Sequence, residues 1–259
     1  MLNSEGTIGT IMSDERNDIE RNYLYTPFFS RVCAFLPQIP NVRIKSFELA
    51  YHCVIQESAE YQEIISTIVG HETSISNHET STCFMLFCDY RSKSIAQHWA
   101  SAMQESKEVK IASVWGGVLD EIDVSHNHKY RQPCVAVLIT GSIQTWSTIL
   151  DKKCDTEEQV ETKLKLFKDE VKLKKHSIGF MFASKMHRGY LEEAMFKRLF
   201  PKVPLANCFG SGSFGKTTTI DEVNEEKNDE EKSWYNEYKY DLWTGYNEYS
   251  TVFLILTYG

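Results

Sequence analysis

From about Phe28 onward, the apolar positions are spaced as strand-like runs alternating with amphipathic helices. FFSRVCAFL (28–36) reads as a strand. After the PQIPN turn, VRIKSFEL (42–49) alternates apolar and polar residues as a half-buried strand does. A helix is expected at about 57–69, with Ile64, Ile65, Ile68 and Val69 on its apolar side, and CFMLFCDY (83–90) reads as a buried strand. SKSIAQHWASAMQES sets Ile95, Trp99 and Met103 along one helical stripe. VKIASVWGG follows as a strand ending in a turn at Gly116 and Gly117, then comes a polar stretch to Pro133, then the strand CVAVLIT ending at Gly141.

The series then begins again. SIQTWSTIL (142–150) reads as a strand, and Thr156 with Gln159 forms a capping box opening a helix that aligns Val160, Leu164, Phe167 and Val171. SIGFMFA (177–183) is a strand, YLEEAMFKRLF a helix stopped by Pro201, PLANCF a strand entering a glycine turn, and STVFLILTYG the last strand. The second strands start at 83 and 177 and the third at 109 and 204, so element order points to an internal duplication of about 95 residues. The expected fold is α/β, with mixed β-sheets flanked by helices and two βαβαββ-like units at about 28–141 and 142–259. The polar residues 1–27 are expected to form a disordered tail.

Composition narrows the class. The 259 residues are 42% hydrophobic and 25% charged, an ordinary globular balance with enough length for one large core or two fused ones. The net charge of −8 comes mostly from DEVNEEKNDEEK (221–232), whose seven acids and two lysines read as a solvated loop. With the basic residues spread out, nothing gathers the Lys and Arg that phosphate backbones require, so a nucleic-acid partner is not expected. The seven cysteines form an odd set without a C-x-x-C pair and sit mostly in apolar runs, which fits the reducing cytoplasm or nucleus. There is no signal-peptide pattern, and no apolar run nears the roughly 20 residues that span a bilayer, so no membrane association is expected.

GSGSFGKT (210–217) raises the question of a nucleotide site. Gly210, Gly215, Lys216 and Thr217 match the phosphate-loop spacing, and Gly210, Gly212 and Gly215 match the dinucleotide pattern. Both motifs work by opening a helix whose first N–H groups face phosphate. Here KTTTIDEV follows, with three consecutive threonines whose branched β-carbons suit a strand better. The glycines are therefore expected to serve a strand-to-strand turn by supplying positive φ, and no cofactor is expected.

His126 and His128 lack further ligands at metal spacing, so no metal is expected. Cys83 and Cys88 point to opposite faces of one strand. Ser184 or Cys208 with His187 or His176 could be paired as a nucleophile and base, but no G-x-S-x-G is present, and the chain is not expected to be an enzyme. SKMHRG (184–189) draws interest as the link from a buried strand to a helix. It brings Ser184, Lys185, His187 and Arg188 to a strand's C-terminal end, where open α/β sheets bind ligands, with Gly189 as a structural turn.

IGFMFA (178–183), Arg188-Gly189, AMFKRLFPKVPLANCFGSGSFG (194–215) and the closing STVFLILTYG together resemble the C-terminal FIST domain of the F-box only protein 22 family. FLPQIPNVRIKSF (35–47) and Trp115-Gly116-Gly117 are similar to its preceding portion, so the resemblance covers about 28–259. It implies a substrate-recognition subunit of an SCF-type E3 ubiquitin ligase, which promotes ubiquitin-dependent proteasomal degradation. In such a subunit an F-box binds Skp1 and the FIST domain selects protein substrates. The 27 residues before Phe28 are too few and too polar for a helical F-box, which leaves the Skp1 contact without a carrier here. The expectation is an F-box-less paralogue, a short isoform or an incomplete gene model. Bacterial FIST domains imply an alternative, a signalling domain that senses a small ligand through the loops at 115–118, 184–189 and 209–215. Their glycine turn commonly carries Gly-Glu, where this chain has Ser213 or Phe214.

Overall fold

The computed structural model describes residues 39–72, 81–120, 122, 134–152, 154–185, 189–217 and 246–259, and for 11–14, 29–32, 71–72 and 247 the backbone alone. The protein is mixed α/β. Strands β1 (Ile11–Asp14) and β2 (Phe29–Val32) pair antiparallel. The first unit then runs β3 (Val42–Glu48), α1 (Ala59–Glu72), β4 (Ser81–Asp89), α2 (Lys93–Gln104), β5 (Ser113–Leu119) and β6 (Cys134–Gly141). The second runs β7 (Gln144–Leu150), α3 (Glu157–Glu170), β8 (His176–Ser184), α4 (Gly189–Leu199), β9 (Leu205–Gly210), β10 (Gly212–Gly215), β11 (Tyr246–Asn247) and β12 (Thr251–Tyr258).

Two sheets result, ordered β11-β10-β5-β4-β6-β3 and β7-β12-β8-β9. Both contain the same four-strand arrangement. In the first, β4 lies parallel to β5 and antiparallel to β6, which pairs antiparallel with β3. In the second, β8 lies parallel to β9 and antiparallel to β12, which pairs antiparallel with β7. The repeated element order in the sequence thus reappears as a repeated strand order.

Side-chain alternation then builds the layers. Cys83, Met85 and Phe87 of β4 share a buried cluster with Phe180 and Phe182 of β8 and Val252, Leu254 and Leu256 of β12, so the sheets stack face to face. Phe84, Leu86 and Cys88 point the other way, to Ile64 and Ile68 of α1 and Trp99 and Met103 of α2. Met181 and Ala183 with Phe253 and Ile255 turn toward α3 and α4. The order of layers is helix, sheet, sheet, helix. Trp115 sits near the middle, with ring centroids 5.7 Å from Phe87, 5.5 Å from Phe180 and 6.0 Å from Phe182. Its indole N–H donates to the Val252 carbonyl at 3.2 Å, a polar tie from one sheet to the other.

The helices follow their local signals. Thr156 Oγ1 accepts from the Gln159 N–H at 3.3 Å, and Gln159 Oε1 accepts from the Thr156 N–H at 3.0 Å, so the capping box is formed. Val160, Leu164 and Phe167 are buried below it, and Val171 leaves the helical conformation. In α1 the buried stripe is Tyr61, Ile64, Ile65 and Ile68. Val69, expected on that side, is 40% exposed, because one further step of about 100° carries it off the stripe.

Several expectations need correction. The stretch 1–27 holds a strand, since β1 falls inside it. Gly116 and Gly117 lie inside β5, Gly210 ends β9, Gly212 and Gly215 bound β10, and Gly189 opens α4, so none of these glycines forms the expected turn. Of them only Gly116 has a positive φ, at 144°. The acidic run 221–232, His126, His128 and Cys33 lie outside the described residues. Among the described residues, no helix is long and apolar enough to cross a membrane.

Candidate functional site

Because β4 parallels β5 and β8 parallels β9, each unit gathers two strand C-termini, and hydrogen bonds bring the two gatherings together. The Ser211 N–H donates to the Val118 carbonyl at 2.8 Å, and the Lys185 N–H donates to the Gly210 carbonyl at 2.8 Å. The Ser184 N–H donates to the Ser250 carbonyl at 3.1 Å. The Lys185 ammonium pairs with the Asp120 carboxylate just past the end of β5. The segments 115–118, 184–185 and 209–215 therefore converge on one rim, in the region where α/β sheets offer ligand sites.

The glycine segment explains this convergence. β9 belongs to the second sheet and β10 to the first, with Ser211 alone between them, so residues 205–215 cross from sheet to sheet. Crossing at close range excludes side chains. A β-carbon on Gly210 would meet the Val118 carbonyl oxygen at 2.1 Å, and one on Gly117 would meet the Phe182 ring at 2.1 Å. β10 is laddered to β5 from Gly212↔Val118 to Gly215↔Trp115, and to β11 at Ser213↔Asn247 and Phe214↔Tyr246. Strand pairing on both sides thus occupies backbone groups that a phosphate loop leaves facing its anion. Lys216 follows β10 with its carbonyl accepting from the Ser147 hydroxyl, and residues 218–245 lie outside the described residues.

Of the sequence candidates, Ser184 is fully buried at the end of β8, while Lys185 stands at the surface, 34% exposed by its side chain. Their environments fit different roles, Ser184 within the framework and Lys185 on the rim. His187 and Arg188 lie outside the described residues. Gly189 is needed where α4 meets the sheet, since a β-carbon there would come within 2.8 Å of both Ala183 and the Phe209 ring. Next to it Tyr190 is 57% exposed, with its ring centroid 5.3 Å from that of Phe209. Tyr90, 69% exposed, is the first residue beyond β4.

Several rim residues escaped sequence inspection. Asp120 is one, and Ser250, whose hydroxyl lies 2.6 Å from that of Ser213, is another. Beside them Lys93 Nζ sits 4.1 Å from the Tyr246 ring centroid and donates to Glu248 Oε1 at 2.9 Å. Burial pushes the Tyr246 phenol up to about 12, with Lys93 pulling against it. Burial works to lower the Lys93 ammonium, but the hydrogen bond to Glu248 and the neighbouring Tyr246 outweigh it and leave it above its ordinary value. Each of these groupings joins residues distant in the chain.

At the other end of β5, an open depression of about 400 Å³ is lined by Gln104, Lys107, Glu108, Lys110 and Lys216 among others. Burial pushes the Cys208 thiol up, and that residue lies at 1% exposure, an environment for packing rather than for a thiolate nucleophile. Among the described residues, no group of three or more His, Cys, Asp or Glu is placed to hold a metal ion. No protein-family model matches the chain, and no curated protein matches it at a significant level.

Proposed function

We propose that the chain is a non-catalytic protein-interaction module that selects substrates for ubiquitin-dependent proteasomal degradation, in the manner of the FIST portion of an SCF E3 ubiquitin ligase receptor. The observation that supports this reading most is the composition of the rim. An exposed ion pair, Lys185 with Asp120, and two exposed tyrosines, Tyr90 just after β4 and Tyr190 at the start of α4, follow the strand ends of a framework fixed by two stacked sheets. Rigid aromatic side chains beside charge are the usual anchors of protein recognition. The place of action in this reading is the cytoplasm or nucleus, and the six described cysteines, all free thiols, agree with a reducing compartment.

Convergence of three segments at strand C-termini also favours a second reading, a small-ligand sensor. One pair of measurements separates the two. Immobilised full-length chain and its Lys185→Glu variant are exposed to cell extract, and bound proteins are identified by mass spectrometry. The exposed pair contributes at most about 1 kcal/mol, so the variant retains its fold. Skp1, a cullin or a ubiquitinated substrate retained by the parent and depleted on the variant supports the proposal. Recovery of no ligase component contradicts it, and a metabolite that raises the melting temperature selects the sensor.

A further inference from the structure

The antiparallel ladder between β4 and β6 sets Cys88 directly opposite Cys134. Directly paired residues present their side chains to the same face, and both thiols belong to the buried cluster under α1 and α2. Opposed residues in an antiparallel ladder have Cα atoms about 4.5 or 5.5 Å apart according to the kind of pair, and both spacings lie within the range that a disulfide spans. The other described cysteines are placed differently. Cys83 points to the opposite face, Cys208 lies in the second sheet, Cys154 lies against α3 and α4, and Cys53 is exposed.

We propose that Cys88 and Cys134 form an oxidisable pair, a modification site at which peroxide closes a cross-strand disulfide below the rim. The electrons balance within the step. One thiolate attacks the peroxide O–O bond, forming a sulfenic acid and releasing hydroxide. The second sulfur then attacks the sulfenic sulfur, forming the S–S bond and expelling a second hydroxide. The two thiol protons convert both hydroxides to water, so two thiols and one peroxide give one disulfide and two waters.

The environment sets the tempo. Burial pushes the Cys88 thiol up to about 12, with Asp89 adding to it, and burial together with Cys88 and Asp89 pushes Cys134 up as well. Thiolate is therefore scarce, and closure is slow compared with oxidation of an exposed cysteine. Cys134 is the first residue of β6, so opening of that strand end suffices to admit oxidant. Once closed, the bond ties the end of β4 to the start of β6.

The test uses the full chain, incubated with hydrogen peroxide at mildly alkaline pH, quenched with an alkylating reagent, unfolded and mapped by non-reducing peptide mass spectrometry. The expected result is a peptide pair joining Cys88 to Cys134 that separates with dithiothreitol, persists in Cys83→Ser and is absent from Cys134→Ser. The oxidised protein should also melt roughly 5 °C or more above the reduced one, since the bond restricts the unfolded chain. Both thiols remaining alkylatable after prolonged incubation in excess peroxide, long past the consumption of Cys53, overturns the proposal, as does a map in which either sulfur is joined chiefly to another cysteine. The parent's map decides the matter even if Cys134→Ser fails to fold.

Discussion

Adding one methyl group at Gly210 should destabilise the protein, while adding the same group at Gly70 should not. A β-carbon on Gly210 would lie 2.1 Å from the Val118 carbonyl oxygen and 2.7 Å from the Phe182 ring, whereas at Gly70 nothing stands within 4 Å. The Val118 oxygen is backbone and already accepts the Ser211 N–H at 2.8 Å, so it cannot rotate aside as a side chain would. Overpacking of this kind costs about 1–3 kcal/mol, and weakening the strained hydrogen bond adds about 1 kcal/mol. Gly210→Ala should therefore lose about 2–4 kcal/mol, a large share of the roughly 5–15 kcal/mol that holds a domain together. Gly70, exposed in the last turn of α1, should gain up to about 0.5–1 kcal/mol when replaced by alanine, because the unfolded chain loses freedom and the helix does not. Urea unfolding of both variants against the parent measures the difference, provided that the slopes match. Gly210→Ala within about 0.5 kcal/mol of the parent would refute the close sheet-to-sheet crossing.

Three further outcomes follow from the same framework. Trp115→Ala should cost about 3–5 kcal/mol by calorimetry, since it empties the space among Phe87, Phe180 and Phe182 and removes the donor to Val252. Thr156→Ala should cost about 1 kcal/mol in urea unfolding, because the Gln159 N–H loses its acceptor at the start of α3. Stability should fall as pH rises from about 9 toward 12, because Cys88 keeps its proton to about 12 when folded but yields it near its ordinary value of 9.0 when unfolded. Tyr246, held to about 12, acts in the same sense from 10.0 upward, and melting temperatures across that range check both.

Local order was legible and long-range pairing was not. The capping box at Thr156 depends on residues three apart, so the sequence displays it directly. The strand around Cys83–Cys88 was readable because a strand covered on both faces must be apolar throughout. Strand partners are another matter, since period-two alternation marks a face without naming a neighbour. Hence the passage of 205–215 from one sheet to the other was hidden, and glycines required for close approach looked like turn residues. The Gly116-Gly117 pair was misread for that reason, and β5 continues through it to Leu119. At the rim, Lys185 was identifiable from its place after a buried strand, whereas Asp120 lies 65 positions away and becomes its partner only through the stacking of the sheets. The facing of Cys88 and Cys134 likewise arises from register alone.

The account turns on the segment GSGSFG being a laddered passage between sheets, which holds the rim segments together, rather than an open cradle for phosphate. Residue-resolved amide hydrogen exchange, with and without magnesium ATP, tests that most directly. The account predicts that the amides of Ser211, Ser213 and Phe214 exchange as slowly as those of β4 and are unaffected by nucleotide. Fast exchange across 211–215 that becomes slow only when magnesium ATP is present would contradict it.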